Sequence, residues 1–540
     1  MKLIHPAVVA FGIAMLLTLP AVTPLIESSH GTVYHLDGPT SLIFYPVLIC
    51  IGLLWILFTG LLTLARRPGR TRIILWTAVM AMLPWVVLKV CSAVMDWPMT
   101  HRTSLPLFLA GPTAVVVVPL LWRPAFRPFF DRAQEFVATM LAFFAVSGLI
   151  ILGQLCLYTW QTRSMNAPEP LHHPSSVVDS AQHPASHPRI IWLILDELSY
   201  RQLYEHRFPS LQLPAFDRLA TQSIVFTHVV PAGLKTEFVI PSLMSGVPAD
   251  AIHASSDGRQ LSLRNPVNHR WQHFDPHQTV FQDALDRGYS TAISGWYNPY
   301  CRLMSQVLDN CFWTYRAPTR GGISTHQTIL SNIVALFSAP AGRAQHFISW
   351  HKQDATIDDA EARSHINDYS DIFAASDAML RNNSADLLLL HLPVPHPFGI
   401  YNRYTHQFTT GPSSYIDNLA LADAYVTHLR SQLEQSGQWD SSTILIMGDH
   451  SWRTSPIWSW TPAWTYEEQN ASDGGKFDDR PAYILKLPNQ QQSAHIDAPY
   501  PAIRTRALID ALMDQRIQST QDLEDWVANP SSPAADSVAQ

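Results

Sequence analysis

The sequence has no basic run: its 36 Lys and Arg are outnumbered by 43 Asp and Glu, giving a net charge of -7. Nucleic-acid binding rests on a basic face that neutralises phosphates, so these numbers argue against a nucleic-acid partner. Internal repeats are absent, which argues against a solenoid or propeller. Lys2 is a thin charged start to the first apolar stretch, and no clear small-x-small site follows it. A cleaved signal peptide is therefore the weaker reading of that stretch. Cysteine is scarce, five in 540 residues. Cys50, Cys91 and Cys156 fall in apolar stretches, where a thiol is a small buried apolar group. Cys301 and Cys311 stand alone in the polar part of the chain, and ten residues apart in an oxidising compartment they are expected to close a small disulfide loop rather than stay as two buried thiols.

What the chain does have is apolar sequence crowded before residue 160. Five stretches there approach bilayer-spanning length: 4–25, 40–64, 73–95, 104–122 and 136–158. The expectation is a bundle of about five transmembrane helices over residues 1–160. The fourth carries Pro106, Pro112 and Pro119 and is expected to be kinked. Arg66, Arg67, Arg70 and Arg72 follow the second stretch, and Arg123, Arg127 and Arg132 follow the fourth, whereas the opposite loops hold little beyond Arg102. Short cytoplasmic loops keep positive charge, so the N-terminus reads as inside. An odd number of crossings then delivers everything after Trp160 outward. In a bacterium that is a multi-pass protein of the inner (cytoplasmic) membrane with its second half on the periplasmic or extracellular side. A transporter would need polar residues inside the helices; Lys89 is the main one, and it reads as snorkelling to the interface.

Residues 161–188, ending APEPLHHPSSVVDSAQHPASHP, have no apolar period and read as a linker. From 189 to 528, short continuous apolar runs alternate with amphipathic helical patterns. The runs are IIWLIL at 190, SIVFTHVV at 223, STAISGW at 290, DLLLLHL at 386, STILIM at 442 and AYILKL at 482. Strands buried on both faces read this way, so the expectation is an α/β domain with a central, mostly parallel sheet. The tail 529–540 reads as disordered.

Open α/β sheets place their active crevice beyond the C-terminal strand ends. Asp196 and Glu197 follow IIWLIL; Gly448, Asp449 and His450 follow STILIM; His391 and His396 lie in and after DLLLLHL. Singly, each has an ordinary structural reading as a cap or a hydrogen-bonded residue. Together, carboxylates and an imidazole converging on one edge make a divalent-cation site. Thr236, in AGLKTEFVIPSLMSG after the run at 223, belongs to the same edge. A threonine hydroxyl at its free pKa attacks poorly, but a divalent cation at the oxygen makes attack on phosphorus or sulfur feasible near neutral pH.

Several ordered stretches, among them IIWLILDELS, LPAFDRLATQSIVFTHVVPAG, VFQDALDRGYSTAISGWY and SSTILIMGDHSWR, resemble the sulfatase-type branch of the alkaline phosphatase superfamily. That branch includes membrane-anchored lipoteichoic acid synthases and lipid A phosphoethanolamine transferases. The resemblance covers roughly 189–515, with 247–275 and 305–380 matching poorly. Sulfatases carry Cys-x-Pro-Ser-Arg with a Gly ten residues after the Cys; here Gly246 lies ten after Thr236, and the Cys or Ser needed for formylglycine is absent. Phosphotransferase and phosphodiesterase members use Thr.

The resemblance implies Asp196, Thr236, Asp449 and His450 as metal ligands, with Glu197 as a fifth. It implies one divalent metal, and an imidazole among oxygen ligands favours Zn or Mn over Ca. His391 and His396 would meet the phosphoryl or leaving group, and Lys235 would steady phosphoryl charge. Lys476, Trp452 and Arg453 would contact substrate. The activity implied is transfer of a phosphoethanolamine- or phosphoglycerol-type head group from a membrane phospholipid to a lipid or glycan acceptor through Thr236. The rival within enzymes is a phosphodiester, phosphate or sulfuric ester hydrolase. The rival of another class is a catalytically silent envelope scaffold or receptor.

Overall fold

Each buried parallel strand needs an apolar run and helices to cover both faces, and the computed structural model shows how far that logic reaches. It describes residues 4–26, 33–67, 69–94, 123–166, 171, 187–316, 323–337, 355–382, 385–461 and 463–529. They fall into two compact units. One holds the N-terminal helices together with a helix over 329–337; the other holds the described residues from 187 to 316 and from 355 to 529, and also Tyr34–Asp37.

In the helical unit, α1 (Pro6–Ile26), α2 (Ser41–Leu64), α3 (Arg70–Val94) and α4 (Arg127–Gln161) are the long helices. Among the described residues, three segments, Pro6–Ile26, Ser41–Leu64 and Arg127–Asn166, are long and apolar enough to cross a membrane. The expected fourth stretch, 104–122, lies outside the described residues. Val9, Ile13, Leu16, Trp76, Phe130 and Leu141 form the buried core. Arg72 bridges α3 to α4 through Asp131 (2.6 Å) and Gln134 (2.7 Å). The expected linker is shorter at its start, because a 3₁₀ turn at Thr162–Asn166 prolongs α4. The backbone N–H of Thr40 donates to the Asn166 side chain there, satisfying a group that a free tether would leave to water. Most of the remaining linker, 167–170 and 172–186, and the tail beyond Asn529 lie outside the described residues.

The α/β unit is built on eight strands: β1 (Ile190–Leu195), β2 (Ile224–Phe226), β3 (Thr291–Trp296), β4 (Asn310–Thr314), β5 (Leu387–Leu392), β6 (Thr443–Met447), β7 (Tyr483–Lys486) and β8 (Ala494–Ile496). Their spatial order is β8-β2-β7-β6-β1-β5-β3-β4, and β7 alone runs against its neighbours. The sheet is thus the mostly parallel one expected. β1, β5 and β6, the central strands, are fully buried. Register brings their C-terminal ends level: Ile194 pairs with Met447 on one side and His391 on the other. One apolar cluster, with Trp192, Leu389 and Leu445, lies on one face, and a second, with Leu193, Leu390 and Ile446, lies on the other.

The run SIVFTHVV does not form one strand. Thr227 and His228 break it, with the Thr227 hydroxyl 2.8 Å from Asp497, and Val229–Val230 pairs separately with Tyr500–Pro501. The poorly matching 247–275 stretch forms an antiparallel sheet of Ala251–Ala254, Leu261–Arg264 and Trp271–His273, and the 305–380 stretch contains β4 in NCFWT. The other poorly matching stretch ends in a 27-residue helix, Ala355–Arg381.

Asp423, in the helix Tyr415–Gln435, accepts hydrogen bonds from the N–H groups of Ala215 and Phe216 (both 3.0 Å), which open the helix Pro214–Ala220. Burial pushes its carboxyl up from 3.8 to about 6, against the pull of those N–H groups. With the folded value above the unfolded one, its contribution to stability is present below pH 3.8 and is lost as pH rises through about 6. Asp423→Asn should therefore gain thermal stability relative to wild type between pH 4 and pH 6, with no further gain above. An equal difference at pH 4 and pH 7, read by differential scanning calorimetry, would disprove this.

Candidate active site

β1 leads into Asp196 and Glu197, both fully buried. Glu197 has φ +64°, a left-handed backbone unusual for glutamate. Its surroundings fix it there: its N–H donates to Asp449 Oδ1 at 3.1 Å, and its carboxylate accepts from Arg453 Nε at 2.6 Å and from Trp458 Nε1. β6 leads into Gly448, where a Cβ would stand 2.5 Å from Leu198 O. Only glycine lets the β1 and β6 ends approach this closely. Asp449 and His450 follow, both fully buried.

Lys235 is extended (φ -138°), and Thr236 opens the ten-residue helix Thr236–Ser245. That helix ends in Gly246 at φ +71°, the left-handed cap position that glycine fills at least cost. The spacing from Thr236 to Gly246 is thus the length of one helix. The helix N-terminus, where backbone N–H groups are unsatisfied, favours negative charge at Thr236.

The Thr236 hydroxyl lies 2.8 Å from Asp449 Oδ2, 3.2 Å from Asp196 Oδ2 and 3.3 Å from His450 Nε2. One proton cannot serve three acceptors, so the shortest contact takes it. Asp196, Asp449 and His450 present ligand atoms all within 4.8 Å of one another. Asp196, Glu197 and His396 form a second such group. Burial, then the Asp449 charge, pushes the Asp196 carboxyl well above its usual value. Burial also pushes Asp449 upward, but His450, His391, the Thr236 hydroxyl and the Glu197 N–H outweigh it and hold it below. Two buried carboxylates around one hydroxyl cannot both be charged without a cation. Asp196 Oδ1 is buried and has no hydrogen-bond partner. An orphaned carboxylate oxygen beside a second carboxylate and an imidazole fits a divalent cation.

The two remaining histidines also stand close to Asp196. His391 Nε2 is 3.5 Å from Asp196 Oδ2, and its Nδ1 is 2.7 Å from the Tyr300 hydroxyl. Burial lowers its imidazole to about 4. His396 is held well below its usual value by burial and by Arg453, whose Nη2 lies 3.5 Å from its Nε2. His391 Nε2 and His396 Nδ1 are buried without a hydrogen-bond partner.

The structure therefore gathers Asp196, Glu197, Thr236, His391, His396, Asp449, His450 and Arg453. Arg453 is bound to Glu197 and also donates to Leu234 O (3.2 Å), which ties the loop before Thr236 to this cluster. Lys235 sits at the rim, its side chain 65% exposed and its Nζ 4.0 Å from Glu237. Two residues are placed elsewhere. Trp452 is buried and stacks flat on Tyr415 at 4.1 Å, a packing position with no face open to a substrate. Lys476 is exposed in the turn after Tyr466–Ala471, and its side chain has no hydrogen bond or ion pair to the cluster.

Sequence reasoning missed Asn298 and Tyr300. Asn298 Nδ2 donates to Thr236 O at 3.2 Å, and Tyr300 meets His391. The signal was available, since both residues follow the C-terminal end of β3. The expected disulfide is present: Cys301 and Cys311 are joined.

The family model described as Sulfatase matches residues 188–499, and the chain belongs to that family. It is an enzyme of the alkaline phosphatase superfamily, in the hydrolase or transferase class, and such enzymes use a divalent metal. Solved structures similar to it include the lipoteichoic acid synthase LtaP from Listeria monocytogenes, at 13% identity over 63% of this chain and 74% of that one (TM-score 0.36). Others are the phosphonate monoester hydrolase of Agrobacterium radiobacter (12%, 61% and 74%, 0.37) and murine ectonucleotide pyrophosphatase/phosphodiesterase 5 (8%, 62% and 99%, 0.35). These likenesses are distant, and the family assignment rests on the sequence match. No curated protein matches the chain.

Purified full chain should retain divalent metal by elemental analysis. Asp449→Asn and His450→Ala should lose it, while Lys476→Ala keeps it; equal metal in all four proteins would disprove the ligand set. Arg453→Met should destabilise the α/β unit by about 3–5 kcal/mol, because it strands the Glu197 charge. Adding Glu197→Gln should recover part of that loss, and a double-mutant cycle in chemical denaturation measures the difference.

Proposed function

We propose that the chain is a membrane-anchored transferase that moves a phosphoryl-alcohol head group, of phosphoethanolamine or phosphoglycerol type, from a phospholipid to a lipid or glycan acceptor. The observation that carries this reading is the Thr236 hydroxyl set at a helix N-terminus, 2.8 Å from a buried carboxylate of Asp449. Threonine at this place, rather than a cysteine or serine open to formylglycine conversion, favours phosphorus over sulfate.

In the first step Thr236 Oγ1 bonds to phosphorus as its proton passes to Asp449 Oδ2. The bond from phosphorus to the lipid alcohol breaks, and that alcohol leaves with this same proton, relayed from Asp449 through His391 or His396. In the second step an acceptor hydroxyl bonds to phosphorus and gives up its proton by the same route, and Thr236 Oγ1 departs and takes that proton up. His391 Nε2 and His396 Nδ1, which have no hydrogen-bond partner, would serve in that relay. Asp196, Asp449 and His450 would hold the divalent cation, Zn or Mn rather than Ca. When bound, it would supply positive charge against the negative charge that develops on the reacting oxygens. Lys235 at the rim would add charge toward the phosphoryl group.

The proposed location is a bacterial inner membrane, with the α/β unit on the periplasmic or extracellular side. Support comes from Tyr34–Asp37, which precede α2 in the chain yet belong to the α/β unit. Both ends of the stretch from residue 38 to 187 must then lie on one side. That requires an even number of crossings after α1, and five crossings in all satisfy it.

The test is mass spectrometry of purified full chain incubated with bacterial phospholipids, wild type beside Thr236→Ala. A head-group-sized adduct on Thr236, absent from the variant, is the expected result and names the donor. No adduct with any phospholipid, together with turnover of a sulfate ester, would favour the ester hydrolase instead.

A further inference from the structure

Tyr34–Asp37 come from the stretch between α1 and α2, yet they are embedded in the α/β unit. Tyr34 is 2% exposed and packs in the same apolar cluster as Trp192 and Leu389. Arg302 holds the backbone of this segment from both ends, donating from Nη1 to Tyr34 O (3.0 Å) and from Nη2 to Leu36 O (2.6 Å). Asp37 Oδ2 accepts from the Tyr315 N–H at 3.0 Å and lies 2.8 Å from the Thr314 hydroxyl. His35 packs against two phenols that also touch each other, tilted on Tyr297 (ring centroids 4.3 Å) and edge-on to Tyr315 (5.5 Å). Its Nδ1 lies 2.9 Å from Tyr297 O; a carbonyl only accepts, so Nδ1 carries the proton.

The surface that receives these four residues is the stretch that touches the reacting groups. Tyr297 adopts φ +72°, a backbone that a tyrosine does not take without outside support. The next residue, Asn298, is 2% exposed and donates to Thr236 O. Tyr300 holds His391 Nδ1. The Tyr297 hydroxyl also donates to Glu237 at 3.4 Å, the residue after the nucleophile. The Cys301–Cys311 bridge closes the same stretch into one loop. Tyr34–Asp37 on one side, and Thr236 and His391 on the other, thus grip the same few residues.

We propose that Tyr34–Asp37 is a positioning element of the catalytic unit, in which His35 fixes Tyr297 and thereby sets Asn298 against Thr236 and Tyr300 against His391. The segment touches no reacting atom. Its effect is on how often Thr236 and His391 stand ready, which is a kcat effect and not one on substrate affinity. The catalytic part of this proposal rests on the phosphoryl-transfer reading; the structural part does not.

The experiment uses full chain in detergent micelles and compares wild type, His35→Leu and His35→Asn. Asparagine places an N–H where Nδ1 stands, whereas leucine fills the volume without a donor. Hydrogen–deuterium exchange is read over 234–240, 296–302 and the central strand 387–392, and hydrolysis of bis(p-nitrophenyl) phosphate gives kcat and KM. His35→Leu should raise exchange over 234–240 and 296–302 and leave 387–392 protected. It should lower kcat about tenfold at unchanged KM, the size of one lost buried hydrogen bond. His35→Asn should restore both readouts toward wild type. Wild-type exchange over both loops in His35→Leu would overturn the proposal. So would a rise over all three stretches in both variants, which is loss of general stability, or a KM increase with kcat held. If wild type turns over no phosphodiester, the phosphoryl-transfer reading fails, and the exchange result still decides the positioning.

Discussion

Two carboxylates, Asp196 and Asp449, are buried without exposure on either side of one hydroxyl, and the organisation of the α/β unit answers to that repulsion. Removing one charge from water is costly, and putting a second of the same sign beside it raises the cost further. The protein spends several devices on it. The Glu197 N–H and the Thr236 hydroxyl point at Asp449, two imidazoles stand close, and Arg453 contributes charge while tied to Glu197. A carboxylate oxygen still lacks a partner, and a bound cation would complete the set. The same repulsion that burdens the cluster alone would favour a divalent ion bound there.

Strand register converts this local problem into a property of the fold. β5, β1 and β6 are in parallel register, so Asp196 and Asp449 leave neighbouring strands at one level, and His391, paired with Ile194, sits two residues earlier on β5. The separation between strands is fixed by backbone hydrogen bonds, which makes the carboxylate spacing rigid rather than adjustable. Gly448 then allows a close approach that a Cβ, 2.5 Å from Leu198 O, would block. Thr236 comes from outside this row, carried by a helix whose position is set through Leu234, Arg453 and Asn298.

How much of this could be read from the sequence depended on whether a residue's role was local. IIWLIL, DLLLLHL and STILIM announced themselves because strands buried on both faces must be continuously apolar, and the residues after them fell where such sheets place chemistry. β4 (NCFWT) and β8 (AHI) escaped notice because edge strands need no apolar run, and the antiparallel sheet of 251–273 because its strands are three or four residues long. Trp452 was expected at the pocket because it neighbours His450, but adjacency in sequence says nothing about which way a side chain turns, and it turns into the core. The Glu197–Arg453 pair and the tyrosine at 300 were hidden for a related reason. Their meaning lies in contacts between residues 256 and 91 positions apart, which no local pattern encodes.

A still wider separation than these two has a consequence in time. His35 and Tyr297 meet across 262 residues. Chains are made from the N-terminus, so these four residues are delivered before any strand of the sheet exists. They must wait, unpartnered, until the loop after β3 arrives. A contact this distant in sequence is slow to close, because the intervening chain must first be ordered. Completion of the α/β unit is thereby coupled to a segment made long before it, and a chain in which Tyr34–Asp37 is held away from the loop after β3 would be left with an unfinished site.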